Sequence, residues 1–119
     1  METPKKLGII GRNISYSFSK KYFEDKFQRL MLKNYSYEIF DLEDLTEVQK
    51  VFEIPNLIGI NVTIPYKEKI IPYLDELSDE AEKMGAVNCI LINGNHKKGF
   101  NTDATGFEKT LLIHRQDDH

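Results

Sequence analysis

The sequence predicts an α/β fold: a mixed, mostly parallel sheet with helices on both faces. Three observations predict it. Compact apolar runs at Leu7 to Ile10, Leu57 to Ile60 and Ala86 to Ile92 have the character of strands buried on both sides. Between the first two runs, apolar residues recur at helical spacing, first Phe23, Phe27, Leu30 and Met31, then Leu45, Val48, Val51 and Phe52. Asn93-Gly94 closes the third run with a strong hairpin signal, so one strand returns antiparallel. Strand and helix in alternation favour parallel pairing with covered faces.

Each element follows from local residues. The first strand breaks at Gly11, and a polar segment leads to a helix that either Ser17 or Ser19 caps. Asn34 lies just past that helix, where asparagine tolerates the left-handed conformation. Tyr35 to Phe40 alternates and is aromatic, the pattern of a second strand. Asp41 to Phe52 reads as a second amphipathic helix closed by Pro55. Pairing of the third strand ends near Thr63, because Pro65 has no N–H for the ladder. Pro72 limits Glu68 to Leu77 to short helical turns. Ser78 to Met84 is a short helix with a serine cap, acids in its first turn and Gly85 as its stop. Lys97 to Asn101 pairs back on the strand that contains Asn88. Thr105 and Glu108 have the spacing of a capping box, which opens a last helix through Leu112.

Composition bounds the function. With 119 residues, 40% hydrophobic, 29% charged and a net charge of -3, the chain suits one soluble domain, placed at residues 1–112, with a frayed tail at 113–119. Nothing in that balance points to nucleic acid. No apolar stretch approaches the length of a signal core or a membrane span. The lone Cys89 has no internal disulfide partner and apolar neighbours, so it reads as a packed thiol in a reducing, cytoplasmic setting. The three histidines have no spacing for a shared metal, and no glycine-rich phosphate loop is present.

The chemistry gathers at one rim. In this architecture the loop after the first strand, Asn61 to Lys67 after the third and Asn101-Thr102-Asp103 after the fifth follow strand ends, Asn88 lies in the fourth strand, and most of these loops share one rim, where open α/β sheets bind ligands. A lysine beside a carboxylate passes a proton to or from a substrate oxygen, and Lys67 with Asp103 is the best such pair. Serine hydroxyls and free amides at a helix start favour an anion. These residues together suit a small hydroxylated acid. Taken singly, the structural roles are favoured: Asn61 and Thr63 satisfying turn backbone, Lys67 solvated, and Asp103 an Asx turn or a helix cap.

Three motifs carry a resemblance to the N-terminal, substrate-binding domain of shikimate dehydrogenase. Asn61-Val62-Thr63-Ile64-Pro65-Tyr66-Lys67 is similar to the family's N-V-T-x-P-x-K, Gly85-Ala86-Val87-Asn88 to its G-A-V-N, and Asn101-Thr102-Asp103 with Gly106 to its N-T-D-x-x-G. They occur in the family's order, and the likeness runs from about Leu7 to Leu112. The resemblance implies that Lys67 is the catalytic acid/base, with Asp103 beside it on the same hydroxyl region. It implies that Ser17 and Ser19 hold the substrate carboxylate, that Thr63, Asn88 and Asp103 bind ring hydroxyls, and that Asp79 lies toward the cofactor. The implied reaction is the NADP-dependent reduction of 3-dehydroshikimate to shikimate in aromatic amino acid biosynthesis. Asn13, Tyr16 and Lys20 depart from the family's G-x-P-x-x-H-S-x-S-P, and Cys89 stands where threonine is common. NADP is expected on a domain outside this chain, leaving the chain inactive alone. Phe107, Leu111 and Leu112 are then expected to be uncovered and to pair two copies as a homodimer.

Overall fold

The computed structural model of the protein describes residues 5–12, 14, 18–31, 33–103, 106–107 and 109–111, and of Phe18 and Ser19 the backbone only. The first strand, β1 (Lys5–Gly11), extends its apolar run at the front because Lys5 and Lys6 donate backbone N–H bonds to the Asn34 and Asn56 carbonyls. The first helix, α1, is Phe18–Arg29, which places Ser19 in its first turn rather than at the cap. Ser17 lies outside the described residues.

That helix stops sooner than its periodicity suggests. Phe23 is buried and Phe27 partly so, but Leu30 and Met31 are 49% and 77% exposed. Met31, not Asn34, takes the left-handed conformation, with φ 57°. The chain must reverse here to enter β2 (Tyr35–Asp41) alongside β1, and the reversal swings both apolar side chains off the sheet.

The second expected helix is shorter and later. Asp41 belongs to β2, and Asp44 caps a 3-10 turn at Leu45–Glu47 by accepting the Thr46 N–H at 3.0 Å. The turn runs into α2 (Val48–Phe52), and Leu45, Val48 and Val51 are buried as their spacing requires. After β3 (Leu57–Val62), Pro72 sits in a single 3-10 turn at Ile71–Tyr73. Next comes β4 (Glu76–Leu77), two residues that only a tertiary pairing makes a strand, Glu76 to Lys98 and Leu77 to Gly99. In α3 (Asp79–Met84) the Ser78 hydroxyl accepts the Ala81 N–H, and Gly85 ends the helix at φ 64°. The strand expected from Ala86 begins later, as β5 (Cys89–Asn93), so Asn88 precedes the strand instead of lying in it. β6 (His96–Phe100) pairs back across the hairpin. Residues 106–107 and 109–111 are helical, while Thr105, Glu108, Leu112 and the 113–119 tail lie outside the described residues.

Among the described residues six strands form one sheet in the order β2-β1-β3-β5-β6-β4. β1 pairs parallel with both β2 and β3, and β4 parallel with β6, whereas β5 is antiparallel to both of its neighbours. Five strands therefore share a direction, and the sheet is mixed and mostly parallel as expected. Period-two alternation gives it two apolar faces. One carries Ile10, Ile60, Val62, Ile90 and Ile92 under α2 and α3; the other carries Leu7, Ile9, Tyr37 and Cys89 under α1 and the last helix. Each fully buried aliphatic side chain contributes roughly 1.5–3 kcal/mol.

The last helix corrects one expectation. Phe107 is fully buried, edge-on to Phe23 with ring centroids 6.1 Å apart, and Leu111 packs on the same cluster. The apolar end expected to be open for a second copy is filled from within at Phe107, because α1 and the sheet supply its neighbours. Among the described residues no helix is long and apolar enough to cross a membrane.

Candidate active site

The polar rim forms where β3 and β6 end and β5 begins. Thr63 is fixed by its N–H bond to the Ile10 carbonyl at 2.9 Å, and its carbonyl accepts the Tyr66 N–H to close a tight turn. Tyr66 drops into the core and its hydroxyl donates to the Leu42 carbonyl. Anchored so, the turn leaves Lys67 exposed at the rim, while its carbonyl accepts the Val87 N–H at 2.7 Å and ties the turn to the next segment.

Asn88 bridges three chain segments. Its carbonyl accepts the Val62 N–H, its own N–H donates to Phe100, and its carboxamide clamps Thr102: Nδ2 donates to the carbonyl at 2.8 Å and Oδ1 accepts the N–H at 3.0 Å. Asn101 adds a bond from Nδ2 to the Ala86 carbonyl. Asp103 begins the last helix, its Oδ1 accepting the Gly106 N–H at 2.7 Å and its carbonyl the Phe107 N–H. Gly106 has no room for a side chain, since a Cβ there would stand 2.0 Å from Thr102 Oγ1. The cap that the sequence offered as the plainer role of Asp103 is thus present, with Phe107 buried behind it as its anchor.

These groups wall a cleft of about 230 Å³ that Asn61, Thr63, Lys67, Asn88, Cys89 and Asp103 line together. A part-buried polar chain runs from the core to the cleft wall. The Tyr37 hydroxyl donates to Asn61 Oδ1, Asn61 Nδ2 to Cys89 Sγ at 3.5 Å, and the thiol to the Thr102 carbonyl at 3.8 Å. Burial pushes the Cys89 thiol up to about 12; the nearby Asp103 charge adds to this, while the Asn61 bond and the Lys67 charge oppose it. Both rim charges therefore act on the same sulfur. The arrangement supplies an ammonium, a carboxylate, a hydroxyl and an amide around one small volume, the means to bind a hydroxylated ligand and exchange a proton with it.

Of the residues expected at the site, Thr63, Lys67, Asn88 and Asp103 come together. Ser17 and the Ser19 side chain lie outside the described residues. Asp79 heads α3 and does not line the cleft. The sequence takes Cys89 as a packed thiol, which its burial agrees with, and Asn61 as a turn residue, and gives Tyr37 no part in the site. A tyrosine facing inward on a buried strand needs a partner for its hydroxyl, which was the available signal. Two wider hollows, about 700 and 680 Å³, lie by the hairpin turn and by the end of α1, but neither gathers this chemistry. Among the described residues no three metal-ligating side chains cluster.

The family model described as shikimate dehydrogenase substrate binding domain matches residues 9–90. The chain belongs to that family. The shikimate dehydrogenase (NADP(+)) of Chlorobium phaeobacteroides is 41% identical over 119 residues, covering 98% of this chain and 40% of that protein. That of Halothermothrix orenii is 42% identical over 107 residues, covering 88% and 37%. The crystal structure of shikimate 5-dehydrogenase from Listeria monocytogenes in complex with shikimate and NAD superimposes with a TM-score of 0.77 at 35% identity, covering 93% of this chain and 39% of that one. The chain thus spans about 40% of the length of the shikimate dehydrogenases it matches.

The described residues do not fit an NADP pyrophosphate. They contain no glycine-rich strand-to-helix turn, and at Asp79 the helix start carries Asp79, Glu80 and Glu82, whose carboxylates repel a phosphate.

Proposed function

We propose that this chain is the substrate-binding and proton-transfer part of a shikimate dehydrogenase, serving the NADP-dependent reduction of 3-dehydroshikimate to shikimate. The observation that carries the reading is that Lys67 and Asp103, from the ends of two different strands, line one cleft with Thr63 and Asn88. In this reading the Lys67 ammonium exchanges a proton with the oxygen at the reacting carbon, and the Asp103 carboxylate accepts from the neighbouring hydroxyl. The Gly106 amide holds that carboxylate in one orientation, which favours a fixed ligand pose. Thr63 and the remaining Asn88 N–H take ring hydroxyls, and Ser17 and Ser19 take the carboxylate. Because the described residues do not fit an NADP pyrophosphate, in this reading they bind shikimate without turning it over by themselves.

Titration calorimetry with shikimate tests the ligand. Heat of binding that weakens in Lys67→Ala supports it; no heat at millimolar shikimate with either protein overturns it. A binding-only module is the second reading, favoured by the structural use of Asp103 Oδ1 and of the Asn88 carboxamide. Adding the NADP-binding domain of a relative separates the two: NADPH formation from shikimate that disappears in Lys67→Ala excludes the binding-only module.

A further inference from the structure

The polar chain behind the cleft runs in one direction. The Thr102 carbonyl has no proton to give, so the Cys89 thiol that faces it donates. Burial keeps that proton in place at neutral pH, holding the thiol near 12. A thiol has one proton, so toward Asn61 the sulfur is an acceptor, and the group it meets is the Nδ2 amide. Asn61 Oδ1 is thereby turned to Tyr37, whose hydroxyl donates to it. Each link leaves its neighbour one role.

We infer that Tyr37 and Cys89 are positioning residues that lock the Asn61 carboxamide with its amide edge toward the cleft, so that this wall offers an N–H donor and selects a ligand oxygen acceptor. Tyr37 is 2% exposed and does not line the cleft, and its hydroxyl reaches the cleft wall through Asn61. Without its hydroxyl Oδ1 loses the donor it faces, and the 3.5 Å bond from Nδ2 to the sulfur is left to hold the carboxamide. The wall then presents its N–H donor less firmly. Serine at position 89 offers the same donor and acceptor roles on a shorter bond; alanine removes both.

The experiment uses the isotope-labelled full chain. The side-chain amide protons of Asn61, assigned by their loss in Asn61→Asp, are expected to be well separated and slow to exchange in the wild type and in Cys89→Ser. In Tyr37→Phe and in Cys89→Ala they are expected to exchange about tenfold faster, the loss of one buried hydrogen bond. The ligand arm rests on the shikimate reading above: shikimate affinity falls about tenfold in Tyr37→Phe and stays within about twofold in Cys89→Ser. Unchanged amide exchange in both Tyr37→Phe and Cys89→Ala overturns the inference, as does equal shikimate affinity of wild type and Tyr37→Phe. A wild type that binds no shikimate overturns the shikimate reading instead, and the amide signals still decide the positioning role. Should Tyr37→Phe not fold, Cys89→Ala against Cys89→Ser carries the same contrast.

Discussion

Asn88 and Thr102 exchange a matched pair of hydrogen bonds, the Asn88 carboxamide donating to the Thr102 carbonyl at 2.8 Å and accepting its N–H at 3.0 Å. A side chain here does the work of a neighbouring strand, and the loop it holds carries Asp103. Asn88→Ala leaves both Thr102 groups without these partners and is expected to destabilise the fold by about 2–3 kcal/mol, from two bonds of about 1–1.5 kcal/mol each. Asn88→Asp is not expected to rescue, because a carboxylate cannot donate to a carbonyl. Urea unfolding of the two variants checks this; an Asn88→Asp midpoint equal to wild type would refute it.

Gly106 is needed for closeness. A Cβ would fall 2.0 Å from Thr102 Oγ1 and 3.3 Å from Asp103 Oδ1. Gly106→Ala is therefore expected to destabilise by about 1–3 kcal/mol even though alanine favours a helix by about 1 kcal/mol. Combining it with Thr102→Ala removes the clashing hydroxyl and recovers part of the loss. Thermal melts of the single and double variants measure both; a Gly106→Ala protein as stable as wild type would contradict the crowding.

The thiol of Cys89 makes stability sensitive to alkali. Its pKa rises from 9.0 to about 12 on folding, so its contribution is whole below pH 9 and is lost as pH climbs toward 12. Burial raises Tyr66 as well, and that group acts with the same sign above its ordinary 10.0. Against Cys89→Ser, the wild type is expected to lose up to about 1.4 kcal/mol more per pH unit between pH 9.5 and 11. Denaturant midpoints at pH 8, 9.5 and 10.5 test this, and parallel losses in the two proteins would show that the thiol does not titrate as a buried group.

Met31 holds a left-handed backbone with its side chain 77% exposed. Glycine adopts that conformation without a Cβ clash worth about 1–2 kcal/mol, offset by its greater freedom when unfolded. Met31→Gly is expected to stabilise by about 0.5 kcal/mol net, raising the melting temperature by about 2 °C. A lower melting temperature would mean that Met31 packs in a way its exposure does not suggest.

Much of the fold was legible because burial repeats with the period of the backbone. The runs at Leu7 and Leu57 became central strands, Leu45, Val48 and Val51 a buried helical stripe, and Ser78 and Gly85 the two ends of α3. Boundaries that depend on where the chain must go next were not legible. Leu30 and Met31 fit the helical stripe but lie past its end, and β4 exists only because β6 lies beside it. At the site, Lys67, Asp103 and Thr63 were legible as polar residues at strand ends, and Asn88 as a polar residue that the sequence places inside a strand. Tyr37 was not, because a phenol in an aromatic strand looks the same whether its hydroxyl meets solvent or a carboxamide.

By itself the sequence determined the fold class, the order of the elements apart from β4, and the family, since apolar periodicity and motif residues in order are properties of a linear chain. Only the tertiary structure decided which groups share the cleft and what each already holds. Hydrogen bonds between Tyr37, Asn61, Cys89 and Thr102 join four separate segments, and their direction is set by a carbonyl that can only accept. No spacing along the chain encodes such a direction, because it arises only when the sheet brings those segments within bonding distance.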